Sequence, residues 1–302
     1  MIRVGIARPT RFYGPEIFAL VHHFANDPDV RYVLVEDKED LDCVELDLAH
    51  VVMGFEGRWR RARTPRIHDY SSLSTPPWAP LKDRIKRSGQ IRPVLRSFLS
   101  CFVKEHMDFR DGCPWVLRDM GVSDAFFATS PVGGKEHDMG YAGSLTVARG
   151  LVRPLTSLAA SGFRLLLVGE PDSQLRSALA AYPNVTFAGR LRQDDVPEAL
   201  RTCTYGLNYV PPVTPYQHQT STKVLEYSAL GLKILTNDYP WVRRFQADHD
   251  ARFAVLDPDR PPTPEELAAM PLRNADPETF RWSSVLEASG LRDQILRVVN
   301  GF

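Results

Sequence analysis

Between positions 215 and 238 the chain reads PYQHQTSTKVLEYSALGLKILTND. The QTSTK portion sets hydroxyls and free backbone N–H groups at the start of a predicted helix, where the macrodipole favours an anion. Lys223 lies in the first turn and can pair with a phosphate as a point charge. Glu226, three residues on, emerges from the same face about one turn away. A carboxylate there can accept both hydroxyls of a ribose while the helix start holds a diphosphate. A nucleoside diphosphate is the ligand that such a pairing suits. The same residues also spell an ordinary helix start, with Ser221 or Thr222 as N-cap and Glu226 as an early acidic residue. Residue types alone leave both readings open.

The surrounding elements must place this stretch where a ligand can reach it. The loop at 210–227 is long for a connection between a strand and a helix. Around it, MGYAGSL, FRLLLVGE, NVTFAGRL, YGLNYVPP, LKILTND and FAVLD alternate with helical stretches from 139 to 256. That order predicts a doubly wound parallel sheet, in which ligands bind beyond the carboxyl ends of the strands. Two further loops, 143–150 and 188–200, would open at the same end. The first half begins another α/β unit with IRVGIA, RYVLVE and LAHVVMG, plus a step near Pro65–Ile67. Residues 76–110 are basic and proline-punctuated, and predict helix in pieces. The loop PVGGKEHD at 131–138 is the best linker. The expectation is α/β throughout: a Rossmann-like unit over 1–134, joined by a helix at about 282–302, and a second over 135–281.

A length of 302 residues suits two domains, and 43% hydrophobic residues suffice for two cores. The 37 basic residues balance 37 acidic ones, so no net field draws a polyanion, and no nucleic-acid module is legible. Charge is local instead. From 57 to 110 thirteen Lys and Arg face four Asp and Glu, interleaved with Trp59, Trp78, Ile85 and other apolar residues. The tract reads either as a solvated basic face or as a peripheral contact with anionic membrane. Four scattered cysteines point to reduced thiols. With no signal peptide and no long apolar run, the expected location is cytoplasmic, on the inner membrane face if the tract meets lipid.

The 221–238 string resembles the (P/S)-T-K-x-x-E-Y-x-A-x-G-x-x-(I/V)-(L/V)-x-x-D segment of GT-B glycosyltransferases, above all family 4 and its relatives. Upstream, YAGSLTVARGL resembles the opening of their donor domain, and NVTFAGRLRQDDVPEALRTCTYGL resembles a later stretch of it. FRWSSVLEASGL resembles the start of their final helix, which crosses back to the first domain. The motifs agree in order and spacing over roughly 139–245.

The resemblance implies roles for individual residues. Glu226 would bind the donor ribose; Lys223 and the Ser221–Thr222 backbone would hold the diphosphate. Arg149 would place a cation on the phosphates, and Gly143 would let backbone approach them. The backbone of Arg190 and Leu191 would meet the nucleobase. Gly14 matches the small residue of the first loop, and His68 with Asp69 matches an H-(D/T) motif near the reacting centre. Two positions depart from the pattern. Ser144 stands where the family has a cation, and His218 stands where E-x7-E has its first glutamate, so His218 and Gln219 would meet the sugar. The implied activity is transfer of a hexose-type sugar from a UDP- or GDP-sugar to a glycan or lipid-linked glycan hydroxyl, with retention and without metal or other cofactor. The departures keep alive a non-catalytic nucleotide- or glycan-binding protein. A rival nucleotide-sugar epimerase or dehydrogenase on a Rossmann fold is expected to carry a G-x-G-x-x-G after the first strand, and IRVGIARPTRFYG offers none.

Overall fold

The computed structural model describes residues 1–8, 14–42, 44–52, 56, 62–128 and 134–301. It divides into two compact units, Met1–Ser123 with Thr279–Phe302, and Asp124–Glu278. The division precedes the expected linker because the turn at Asp124–Phe126 belongs with the second unit: Arg201 Nη2 donates to the Ala125 carbonyl at 3.1 Å.

The first unit is a six-stranded parallel sheet: β1 (Ile2–Ala7), β2 (Val30–Val35), β3 (Leu48–Val52), β4 (Arg66–Tyr70), β5 (Leu95–Phe98) and β6 (Trp115–Leu117). Its order is β2-β1-β3-β4-β5-β6. Helices α1 (Pro15–His23), α2 (Ala79–Ser88) and α3 (Cys101–Met107) accompany it. Proline at the start of α1 fits a position where its missing N–H costs nothing, and Ile17 and Leu20 turn inward at helical spacing. The strand β5 replaces part of the helix expected over 76–110. Its LRSF sequence hides a strand because Arg96 and Ser97 are buried along with Leu95 and Phe98.

The second unit carries β7 (His137–Ala142), β8 (Leu165–Val168), β9 (Val185–Gly189), β10 (Cys203–Asn208), β11 (Lys233–Thr236) and β12 (Ala254–Val255), in the order β12-β11-β10-β7-β8-β9. Between and after the strands run α4 (Val152–Ala160), α5 (Ser173–Leu179), α6 (Val196–Arg201), α7 (Thr222–Ala229), α8 (Pro240–Asp248) and α9 (Pro264–Ala269). Leu155, Leu158, Leu165, Leu167, Leu207 and Leu235 lie in its core.

The last two helices, α10 (Trp282–Ala288) and α11 (Leu291–Asn300), return to the first unit. Trp282, Leu286, Leu291 and Ile295 join Val4, Ile6, Leu20 and Ile67 in one apolar cluster. Gly121 makes room for them, since a Cβ there would come within 2.6 Å of the Trp282 ring.

Candidate functional site

In the second sheet the strand order reverses between β7 and β10, which pair in parallel through Gly206 and Gly140. Such a switch point leaves a crevice at the carboxyl ends of the two strands. Three loops and one helix start meet there: the chain after Ala142, the turn after Val168, and the segment leading from Asn208 into α7.

The helix α7 is fixed beneath this crevice by Tyr227. Its hydroxyl donates to the Leu207 carbonyl and accepts from the Ala142 N–H, both at 3.3 Å. Gly206 lets the ring lie against the strand, because a Cβ would sit 2.3 Å from it. The start of the helix is held by Asn208, fully buried at the end of β10. Asn208 Nδ2 donates to Thr236 Oγ1 and Tyr239 Oη, each at 2.9 Å, and its Oδ1 accepts from Ser221 Oγ at 2.7 Å. Ser221 therefore occupies the N-cap position without capping; its hydroxyl is spent on Asn208. The Val224 N–H reaches the Ser221 carbonyl. Those of Thr222 and Lys223 have no partner among the described residues, as the first turn of a helix requires.

Lys223 leans from this turn onto the loop after β7. A Cβ on Gly143 would stand 3.1 Å from Lys223 Cε and 3.2 Å from Nζ, and Gly143 has φ +138°. A second glycine, Gly169 at the end of β8, has φ +144°, and a Cβ there would meet the Gly143 carbonyl at 2.2 Å. Space excludes a side chain at Gly169, and the positive φ of Gly143 would strain one there. The Lys223 ammonium lies 5.1 Å from the Tyr141 ring centroid. No carboxylate pairs with it among the described residues. Glu226 is half-buried, with no hydrogen bond or ion pair to its carboxylate among the described residues. Burial pushes its carboxyl up to about 7, with the Lys223 charge opposing the shift. An unpaired ammonium and an unpaired carboxylate thus share one helical turn at the mouth of the sheet.

The other expected donor residues are distributed around this pair. Ser144 is exposed, and its carbonyl accepts from Tyr141 Oη at 3.3 Å. The same loop is tied to α5 by Asp172, which accepts from Val147 N at 2.7 Å and caps α5 through Leu175 N at 2.8 Å. Arg149 ends the 3-10 turn and lays its guanidinium 4.9 Å from the Tyr216 ring centroid, joining this loop to the one before α7. His218 closes the 3-10 turn Tyr216–His218, and Gln219 follows it in extended conformation; both are half-buried. Arg190 is exposed just past β9, whereas Leu191 packs its side chain on the apolar cluster of Leu166, Val168 and Cys203. Asn208 was not among the sequence candidates; a polar residue ending an apolar strand is its only sequence signal.

The residues expected in the first unit are placed differently. Gly14 is the N-cap of α1, with an ordinary φ of −124°. The loop before it, and the one after β3, fall on residues outside the described ones. His68 and Asp69 lie within β4, each 1% exposed, so the structure encloses the two groups expected to meet the sugar. Asp69 accepts from Arg118 Nη2 at 2.8 Å and Nε at 3.0 Å, takes Ser71 Oγ at 2.8 Å, and has His50 Nε2 at 3.4 Å. The Arg118 guanidinium holds its carboxyl well below the usual carboxylate range against the opposing effect of burial. His68 Nε2 stands 3.7 Å from Glu56, and burial pushes its ring down. Both side chains thus lie inside the sheet, Asp69 in a paired network with Arg118 and Ser71.

No protein-family model matches the chain, and no curated protein matches its sequence. Solved structures do match it. AviGT4, a glycosyltransferase involved in avilamycin A biosynthesis, aligns with a TM-score of 0.67 at 14% identity, over 100% of this chain and 99% of that one. Anabaena Alr3699/HepE, crystallised with UDP and glucose, aligns at 0.63 and 12% identity, over 100% and 98%. The UDP-GlcNAc 2-epimerase of Methanocaldococcus jannaschii aligns at 0.55 and 9% identity, over 100% of both chains. Identities this low speak for architecture alone, and with two Rossmann-like sheets and the closing helices returned to the first unit, the chain has the GT-B fold.

Proposed function

We propose that the chain is a glycosyltransferase that moves a hexose-type sugar from a UDP- or GDP-sugar to a hydroxyl of a glycan or lipid-linked glycan. The observation that carries this reading is the unpaired Lys223–Glu226 couple at the start of α7, with Lys223 seated against Gly143. The α7 N–H groups and the Lys223 ammonium would hold the diphosphate, and Glu226 would take the ribose hydroxyls. Positive charge fixed in this way stabilises a departing diphosphate without a metal. Alr3699/HepE, crystallised with UDP-glucose, supports UDP as the first nucleotide to try. We further propose transfer with retention, as the motif resemblance implies. The test is transfer or hydrolysis of a radiolabelled sugar nucleotide. Turnover should occur and collapse in Glu226→Ala; nucleotide binding with no turnover on any donor and acceptor would leave a binding protein. A second reading is epimerisation of the sugar nucleotide, favoured by the 2-epimerase that shares this architecture over its whole length. The missing G-x-G-x-x-G does not speak against that enzyme, only against one that binds a dinucleotide. Analysis of the unspent donor for a changed sugar separates the two.

A further inference from the structure

The basic tract at 57–110 does not act as one surface. Arg66 is buried between Asp42 at 2.6 Å and Glu56 at 2.9 Å. Arg96 is buried against Asp111 at 2.6 Å, and Arg110 pairs with Asp108 at 2.8 Å. Arg58, Arg60 and Arg61 lie outside the described residues. Arg92 turns to Asp111, Lys104 lies over the Trp115 ring, and Arg63 stands apart in the sequence, which leaves the four cations of α2, a helix with no buried residue. Trp78, Leu81 and Ile85 are 74%, 52% and 46% exposed. Their spacing of three and four residues puts them on one stripe. Lys82 and Arg84 flank the stripe, and the helix holds four cations, with Lys86 and Arg87, against the single carboxylate of Asp83. Trp78 sits at the N-cap with φ +65°, a left-handed conformation that a bulky residue adopts only under constraint. The helix is nevertheless anchored: Ser74 N donates to Asp83 Oδ1 at 3.0 Å, and Lys82 Nζ donates to the Thr75 carbonyl at 3.1 Å. A fixed helix therefore displays a tryptophan and two aliphatic side chains to water, flanked by Lys82 and Arg84, while Lys86 turns to Asp83 at 4.0 Å.

We infer that α2 is an interfacial helix that lays Trp78, Leu81 and Ile85 into the headgroup layer of an anionic membrane. Charge decides the occupant. A second copy meeting the same face would bring two cationic helices together, whereas anionic lipid neutralises them. Tryptophan prefers that interfacial depth, and the aliphatic pair buries apolar area below it. The inference is independent of the donor chemistry. Phosphatidylcholine vesicles, with and without phosphatidylglycerol, test it by co-sedimentation of the whole chain. The mixed vesicles should bind and the neutral ones should not, with binding falling as salt rises. Lys82→Gln and Arg84→Gln should each weaken binding roughly fivefold. Trp78→Ser/Leu81→Gln/Ile85→Gln should weaken it at least tenfold or so, with thermal unfolding unchanged because none of the three is buried. Failure of the mixed vesicles to bind, equal binding to neutral ones, or full binding by the triple variant would each overturn it. So would self-association of the wild type that the triple variant abolishes, which would assign the face to a second copy.

Discussion

The ribose role proposed for Glu226 would come at the expense of the fold. Burial raises its carboxyl to about 7 from an ordinary value of 4.5. Between those two values the folded state binds more protons than the unfolded one, so stability falls as pH rises across that window. Above it the full cost persists. Glu226→Gln keeps the shape and removes the charge. It should raise the melting temperature at about pH 8, by something on the order of 1–3 kcal/mol in stability, and have no such effect below about pH 4.5. Donor binding should move the other way. With the ionised carboxylate as the proposed acceptor for ribose hydroxyls, affinity for a UDP-sugar should climb as pH passes through about 7. The variant should bind roughly 10–100-fold more weakly and lose that pH dependence, as removal of a charged hydrogen-bond acceptor predicts. Calorimetry at several pH values reads both effects. An unchanged affinity would remove Glu226 from the donor site.

At the scale of elements, the helix start depends on a neighbour that the sequence does not advertise. Asn208 ties β10, β11, α8 and the N-cap of α7 through three bonds in a buried place. Asn208→Ala would leave Ser221 Oγ, Thr236 Oγ1 and Tyr239 Oη each short of a partner. We expect a loss of about 2–4 kcal/mol in urea unfolding, given the cost of buried unsatisfied polar groups, together with weaker nucleotide binding. Weaker unfolding alone, with nucleotide affinity intact, would mean that the α7 start does not need this anchor. The elements themselves were legible where burial followed residue type. The strand β8 is the apolar run LLLV ahead of Gly169, and β7 and β10 bury Met139, Tyr141, Tyr205 and Leu207 on the alternation that predicted them. Legibility failed where charge goes inside. Arg96 and Ser97 disguised β5 as part of a helical basic tract because Arg96 finds Asp111 only after folding. His68 and Asp69 looked like site residues at the end of a strand, yet the partners that enclose them, Glu56, His50 and Arg118, come from other parts of the chain. Lys223 and Glu226 were legible because helical spacing alone brings them together. The backbone approach of Gly143 and Gly169 was half legible: a glycine announces room, not what fills it.

At the scale of the molecule, the two units differ in how they are completed. The second, Asp124–Glu278, is continuous in sequence and has its own apolar core from Met139 to Leu267. The Lys223–Glu226 couple, both close glycines and the Asn208 anchor all belong to it. The first unit is discontinuous, and its core includes Trp282, Leu286, Leu291 and Ile295 from the chain end. Each such side chain contributes roughly 1.5–3 kcal/mol when buried. Four of them together approach the entire stability of an ordinary domain, about 5–15 kcal/mol. Residues 1–123 expressed alone should therefore fail to give a cooperative unfolding transition. Residues 124–278 alone should fold, and UDP at about 100 times its Kd should stabilise them by about 2.7 kcal/mol, as it would the whole chain. Circular dichroism melts with and without UDP read both outcomes. A folded 124–278 fragment that ignores UDP, beside a full chain that binds it, would show that the nucleotide needs residues of the first unit. The lysine and glutamate of α7 would then be one half of a site rather than its recognition centre.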